Sequence, residues 1–420
     1  MNPRHLLAMP LKAVLAAGLT CLAGAVFAQS ADPDEMARRV DELASELATV
    51  KKQLSELEQQ KANAMPASSA AEEPTTVFTS YGEINYNRPT HEPENAQADL
   101  RRFVFGFQHR FDAQTKLVTE IEFEHAVTSA EDPGEAEIEQ AMIEHSLNPT
   151  WAVRAGLFLM PVGLLNENHE PTAYYGVERN FVETAIIPTT WREGGVQVVG
   201  TFENGVTFQT GVTTGFDLAK WDATSPEGAL SPLGSIHQEL ALARAYDLSI
   251  FGALNWRGIP GLLVGGSLFT GGATQGQAVV SASVTLWDLH ARWTPGRWDF
   301  AALYSSGSIS NTAALNMPLV GNPTLIPESF DGGYVQAAYK LWMHGSQVLS
   351  PFVRLEQFNT GRRYADLGPG LTPAARPTEQ VATVGMNYQI TPGVVVKADV
   401  QHFREDQDAD RVDLGLGWSF

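Results

Sequence analysis

Between Val77 and Phe420 the chain repeats one pattern. Segments of about 10 residues alternate apolar and polar side chains, and the connections between them are short and long in turn. A two-residue period puts the two kinds of side chain on opposite faces of a strand. About 10 residues is also the length with which a tilted strand crosses a bilayer. Sixteen such segments are legible, starting near Val77, Leu100, Thr115, Gly134, Trp151, Gly194, Gly205, Ala245, Gly261, Ala278, Arg297, Gly333, Gln347, Thr378, Gly393 and Ala409. The final one shows the period most plainly: Val412, Leu414, Leu416 and Trp418 alternate, and Phe420 comes last. The pattern predicts an all-β transmembrane barrel of 16 antiparallel strands over 77–420.

The connections support it. The short ones carry turn residues: Asp112-Ala113-Gln114, Asn148-Pro149, Glu203-Asn204-Gly205, Gly258-Ile259-Pro260, Pro295-Gly296, His344-Gly345 and Pro392-Gly393. The long ones, 89–98, 160–193, 215–243, 306–330 and 358–377, are polar. Outer-membrane barrels have short periplasmic turns and longer external loops. An even strand count puts both ends of the barrel on the periplasmic side. Trp151, Trp256, Trp293, Trp298, Trp342 and Trp418 all fall near short turns or the C-terminus, where a girdle of indoles at headgroup level is expected.

The first 76 residues read differently. Arg4 and Lys12 precede an apolar run, Ala13 to Val26, and Val26-Phe27-Ala28 fits a small-residue cleavage site. Residues 1–28 are expected to be an export signal, with Gln29 starting the mature chain. Cys21 is the single cysteine and Thr20 before it fits a lipobox poorly, so disulfides, thiol chemistry and cysteine-held metals are not expected. No later stretch is apolar enough for a transmembrane helix. Over 34–61, Val40, Leu47 and Leu54 take heptad position a, and Met36, Leu43, Val50 and Leu57 take position d. A short α-helical coiled coil in the periplasm is expected, followed by a polar linker over 62–76. Removing the signal leaves 26 Lys+Arg against 48 Asp+Glu, a formal charge of −22, which argues against nucleic acid as a partner.

Alternation also assigns faces. Phe103, Phe105 and Phe107 oppose Arg102 and Arg110; Leu117, Ile121 and Phe123 oppose Lys116, Glu120, Glu122 and Glu124; Val153, Leu157 and Leu159 oppose Arg154. Parity adds Arg292, Arg297, Lys340, Arg354, Lys397 and Arg411 to the polar face, with Asp288, Asp299, Glu356, Asp399 and Asp413. A charge on the lipid face costs about 2–4 kcal/mol at mid-membrane, so this face is expected to line the lumen. Side chains alone fill only small barrels, so a lumen of sixteen strands is expected to hold water and pass solutes. The longest connection, 160–193, carries Glu167, Glu170, Glu178, Glu183 and Glu193 with Arg179 and Arg192. Long loops are usually functional. This one is expected to fold inward and form a constriction, its acids facing the wall's Arg and Lys.

Three stretches, "DLRRFVFGFQHRFDAQTKLVTEIEF", "VRAGLFLMPVGLLNENHEP" and "YYGVERNFVETAIIPTTWREGGV", resemble the phosphate-selective porin O and P family. The resemblance covers about 75–215 in motif and the rest in pattern. It implies a homotrimer in the outer membrane of a Gram-negative cell, with the third loop inside each barrel and passive diffusion of small solutes such as phosphate or carboxylates. The terminal Phe420 resembles the signal read by the barrel-assembly machinery. The arginine ladder and lysine cluster of the phosphate-selective members have no residue-by-residue match here, so small anions, dicarboxylates and sugars all stay open.

Two other classes compete. A lipase-like or protease barrel needs Ser, His and an acid or amide together. His125, His145, His290 and His402 are scattered and no Gly-x-Ser-x-Gly elbow occurs, so an enzyme is not expected. A plugged structural or adhesive barrel is the other. "LGLGW" near the end precedes no helix and is not a nucleotide loop. No metal-ligand spacing stands out, and no cofactor is expected.

Overall fold

In the computed structural model the described residues are 75–129 and 132–420. The expected signal, the coiled-coil positions from Met36 to Leu57 and nearly all of the linker lie outside them. The chain divides into Met1–Thr75 and Thr76–Phe420, and the second unit holds all the strands among the described residues.

These strands are β1 (Thr76–Pro89), β2 (Gln97–Arg110), β3 (Thr115–Glu124), β4 (Ala136–Ser146), β5 (Trp151–Leu159), β6 (Arg192–Thr201), β7 (Val206–Thr213), β8 (Ser249–Trp256) and β9 (Leu262–Gly272). They continue with β10 (Ser283–Trp293), β11 (Trp298–Ile309), β12 (Ser329–Tyr339), β13 (Trp342–His344), β14 (Gln347–Arg363), β15 (Glu379–Thr391), β16 (Val394–Phe403) and β17 (Arg411–Ser419). β12 and the three-residue β13 both pair with β14, so they form one interrupted stave. Seventeen strand elements thus make a closed antiparallel barrel of sixteen staves. Among the described residues, no helix is long and apolar enough to cross a membrane.

The ring closes where β17 meets β1. Tyr81 lies opposite Ser419 and Pro89 opposite Arg411. Beyond the ladder, Ser80 and Phe420 exchange backbone hydrogen bonds of 3.1 and 2.9 Å. A sheet edge facing hydrocarbon would leave a row of unpaired N–H and C=O groups, each costing several kcal/mol, and closure removes the edge.

Local chemistry fixes the turns. The Asp112 carboxylate accepts from the backbone N–H groups of Gln114 and Thr115 at 2.8 and 2.7 Å, and these donors hold its pKa below the usual carboxylate range. Asn148 does the same for Thr150 and Trp151. The six tryptophans of the expected girdle sit at strand ends on the short-turn side. Trp298 lies 5.4 Å from Phe300 and 4.7 Å from Tyr339 between ring centres.

Two departures from strict alternation matter. In β4, Gln140 faces Glu120 while Ile138 faces Ile121, so Glu139 is an extra residue in a β-bulge. In β5, Gly156 has φ +131°, and beyond it Leu157, Phe158 and Leu159 are all buried. The expected lipid-facing positions of Leu157 and Leu159 are therefore corrected: both are buried, although the ladder to β6 runs unbroken past them.

Elsewhere the apolar set points outward. Leu414 is half exposed while Asp413 beside it is fully buried. Leu414→Arg is expected to lower the stability of the bilayer-inserted barrel by about 2–4 kcal/mol. Urea unfolding from lipid vesicles measures this, with Leu414→Phe as the near-neutral control.

Candidate functional site

The interior of the barrel is organised by the connection between β5 and β6. Arg102 on β2 donates to His169 O at 3.0 Å, and Arg292 on β10 donates to Ala173 O at 3.5 Å. In strand order β2 and β10 lie eight staves apart in a ring of sixteen, so they are opposite walls. Four residues of loop reach from one to the other. Further along, Lys397 Nζ donates to Gly176 O at 2.8 Å, while Val177 N–H donates to Asp399 at 2.7 Å and Phe181 N–H to Glu356 at 2.8 Å. Gly415, on β17, leaves room for the loop: a Cβ there would stand 3.1 Å from Val177 Cγ1.

These contacts revise the expected electrostatics. The wall's charged groups meet the loop's backbone far more than its carboxylates. Among the described residues Glu167 is the one loop acid within ion-pair reach of a wall cation, 4.0 Å from Arg154. Glu178 accepts instead from Asn85 and Asn87, both at 3.2 Å. Glu183 is buried within the loop and accepts from Leu164 N–H, Leu165 N–H, Asn180 and Tyr334. Arg179 donates to Thr190 Oγ1. Arg192 pairs with Glu137 at 2.5 Å and Glu239 at 2.8 Å. Glu170 is half buried. The loop acids serve as internal ties more than as a charged rim.

The wall positions fall into two groups. Toward the long-loop side, charges are buried in pairs, Arg102 with Glu83 and Arg354 with Glu356, both at 2.9 Å, while the half-buried Arg411 meets the buried Asp413 at 3.0 Å. Lys397 lies 3.6 Å from the Tyr174 ring centre. Glu122 is buried, Glu120 accepts from Gln140 at 2.6 Å, and Glu124 is 4.0 Å from His125. Toward the short-turn side the basic residues are more open. Lys116 and Arg154 share Glu144 at 3.0 and 2.7 Å, and Arg292 is held by Asp299 at 2.7 Å. Arg110 and Arg297 are exposed and Lys340 is half buried.

The interior is not polar throughout. Phe251, Phe269, Val284, Leu286, Leu303 and Phe330, from β8 to β12, are buried against Trp191, Phe216, Leu233 and Ile236. The last three belong to the loop between β7 and β8. Ring contacts fix the packing, with Trp191 stacked 5.1 Å from Phe216 and edge-to-face 4.7 Å from Phe269. A second loop thus covers an apolar sector of the inner wall, which corrects the expectation of an all-polar lumen.

Below the first loop lies an open cavity of ≈ 690 Å³. Arg154, Arg257 and Arg292 line it with Gln209, Asn255 and His290, and Glu167 is its single carboxylate. Among the described residues Arg257 has no carboxylate within 4.0 Å; it is exposed, and Glu167 of the same lining acts on it only from farther away. Strand parity could not find it, because it belongs to the turn after β8. Glu139 was missed because the bulge changes the phase, although acids at Glu135, Glu137 and Glu139 followed by Glu144 record the change. His169, Tyr81 and Tyr174 carried no signal in the sequence.

The catalytic alternative gains nothing here. Ser267 Oγ and His290 Nδ1 both bind Asp288, and His290 Nε2 is held by Asn255 at 2.8 Å. A nucleophilic triad needs its hydroxyl on the imidazole, and here it sits on the carboxylate.

No family model matches the chain. A relative from Aquifex aeolicus (strain VF5), described as an uncharacterised protein, is 27% identical over 352 residues, covering 81% of this chain and 79% of that one. Among solved structures, OmpF of Salmonella typhi in complex with daunomycin aligns with a TM-score of 0.57 at 13% identity, over 82% of this chain and 97% of that one. The outer-membrane channel DcaP of Acinetobacter baumannii gives 0.52 at 13%, over 82% and 97%. An anion-selective porin from Comamonas acidovorans gives 0.51 at 10%, over 82% and 100%. The chain has the fold of outer-membrane porins.

The buried pairs make a direct test of the docking. Arg102→Ala removes the ion-pair partner of Glu83 and the donor to His169 O, which is expected to cost about 3–5 kcal/mol. The urea midpoint should fall accordingly, and Glu83→Gln in the same chain should recover part of the loss.

Proposed function

We propose that this chain is an outer-membrane diffusion channel for small hydrophilic solutes, with a preference for anions such as phosphate or carboxylates. The observation that carries the reading is the cavity under the loop, with three arginines against one carboxylate on its lining. Guanidinium groups suit phosphate and carboxylate alike. Arg257 matters most, because Arg154 and Arg292 are already engaged by Glu144 and Asp299. In this reading the loop from Met160 to Trp191 sets the constriction by crossing the barrel, and the basic short-turn side gathers anions. The porin fold supports placement in the outer membrane. The phosphate-selective porin family and a homotrimer rest on the sequence resemblance.

A specific observation favours a second reading, a sealed barrel. Inward side chains on β14, β16 and β17 are packed by the first loop, and the apolar sector is covered by the second. Planar-bilayer recording of the purified protein in a salt gradient separates the two. A reversal potential of anion-selective sign is expected. Arg257→Ala should shift the permeability ratio toward cations by a factor of about two to five, as ~0.5–1 kcal/mol of screened charge would give. A silent barrel, or a cation preference unchanged by that substitution, overturns the reading.

A further inference from the structure

Beside the first loop, the inner wall carries more negative charge than its cations balance. Glu120 comes from β3, Glu139 from the bulge in β4, and His169 from the loop. One ligand atom from each lies within 4.8 Å of the other two. Glu122 adds a further buried carboxylate, while the nearby Arg102 guanidinium is already engaged by Glu83 at 2.9 Å. Buried carboxylates in excess need a proton or a cation.

Proton counting narrows the choice. His169 Nδ1 lies 2.9 Å from Asn166 O, and a carbonyl only accepts, so Nδ1 carries a hydrogen. In the neutral ring Nε2 then presents a lone pair to the cluster. Tyr81 OH is 2.6 Å from both that nitrogen and Glu139 Oε2, and its one proton serves only one of them. Glu139 is fully buried, and its Oε1 has no hydrogen-bond partner; the His169 nitrogen stands 3.5 Å away. A buried acceptor is thus left to be met by a proton shared with the neighbouring Glu122 or by a cation. Imidazole fixed through Nδ1–H to a carbonyl is how proteins orient histidine toward a metal.

We propose that Glu120, Glu139 and His169 bind a divalent transition-metal cation of the zinc type and so tie the loop to the wall. A nitrogen donor with two carboxylates suits zinc better than calcium, which takes oxygen ligands. Three protein ligands leave a fourth position for water. Glu120 is half buried, so solvent in the barrel reaches it. The site does not depend on conduction: a barrel that binds zinc and passes no current would refute the channel and leave this intact.

The test is calorimetric titration of the full-length, chelator-stripped protein in detergent with zinc sulfate. One zinc per chain is expected. Glu120→Gln, Glu139→Gln and His169→Gln should each weaken binding on the order of tenfold or more. Glu120→Gln at a half-buried position is the variant that should fold normally, verified by heat-modifiable gel mobility. Cobalt in place of zinc should give the visible absorption of a nitrogen- and oxygen-ligated site, and the His169→Gln spectrum should differ. A folded wild-type protein that takes up no zinc overturns the proposal, as does binding unchanged in all three variants.

Discussion

In hydrocarbon no backbone N–H or C=O can turn to water, and the rest of this structure depends on that constraint. It forbids a sheet edge, so β17 must find β1, and Phe420 extends the pairing past the last ladder residue through Ser80. It also makes the two-residue period a partition between solvents. Leu414 and Leu416 face one side; Arg411 and Asp413 face the other and pair with each other at 3.0 Å.

Closing sixteen staves leaves an interior too wide for side chains alone to fill. Two loops occupy it by different physics. The first is held by charge against backbone: wall cations cap loop carbonyls and wall carboxylates receive loop N–H groups, so an irregular segment finds backbone partners inside the barrel. The second is held by apolar burial, with Phe216, Leu233 and Ile236 against β8 to β12. What they leave open is lined by arginine on the short-turn side. Net acidity of the chain and local basicity of this cavity coexist because most acids lie elsewhere.

The barrel was legible because lipid enforces its pattern. Strand starts at Thr115, Trp151 and Gln347 match to the residue, all after short turns whose chemistry is local. Starts after long loops are displaced, with Ser249 against an expected Ala245, Ser283 against Ala278 and Ser329 against Gly333. There, pairing with a neighbour sets where a strand begins, and hydropathy does not. The site was legible in part. Parity placed Arg102, Arg354 and Lys397 on the inner face but not what they bind, since loop backbone carries no sequence signal. It missed Arg257 in a turn and Glu139 at a bulge, the positions where alternation does not apply.

The channel reading rests on the loop after β5 standing inside a conducting barrel. Val177→Cys with Gly415→Cys tests it most directly, Cys21 being the single native cysteine. A Cβ on residue 415 lies 3.1 Å from the Val177 side chain, so oxidation is predicted to join the two in one chain without abolishing current. Failure of the pair to cross-link in the folded barrel, or absence of current before oxidation, would contradict the account.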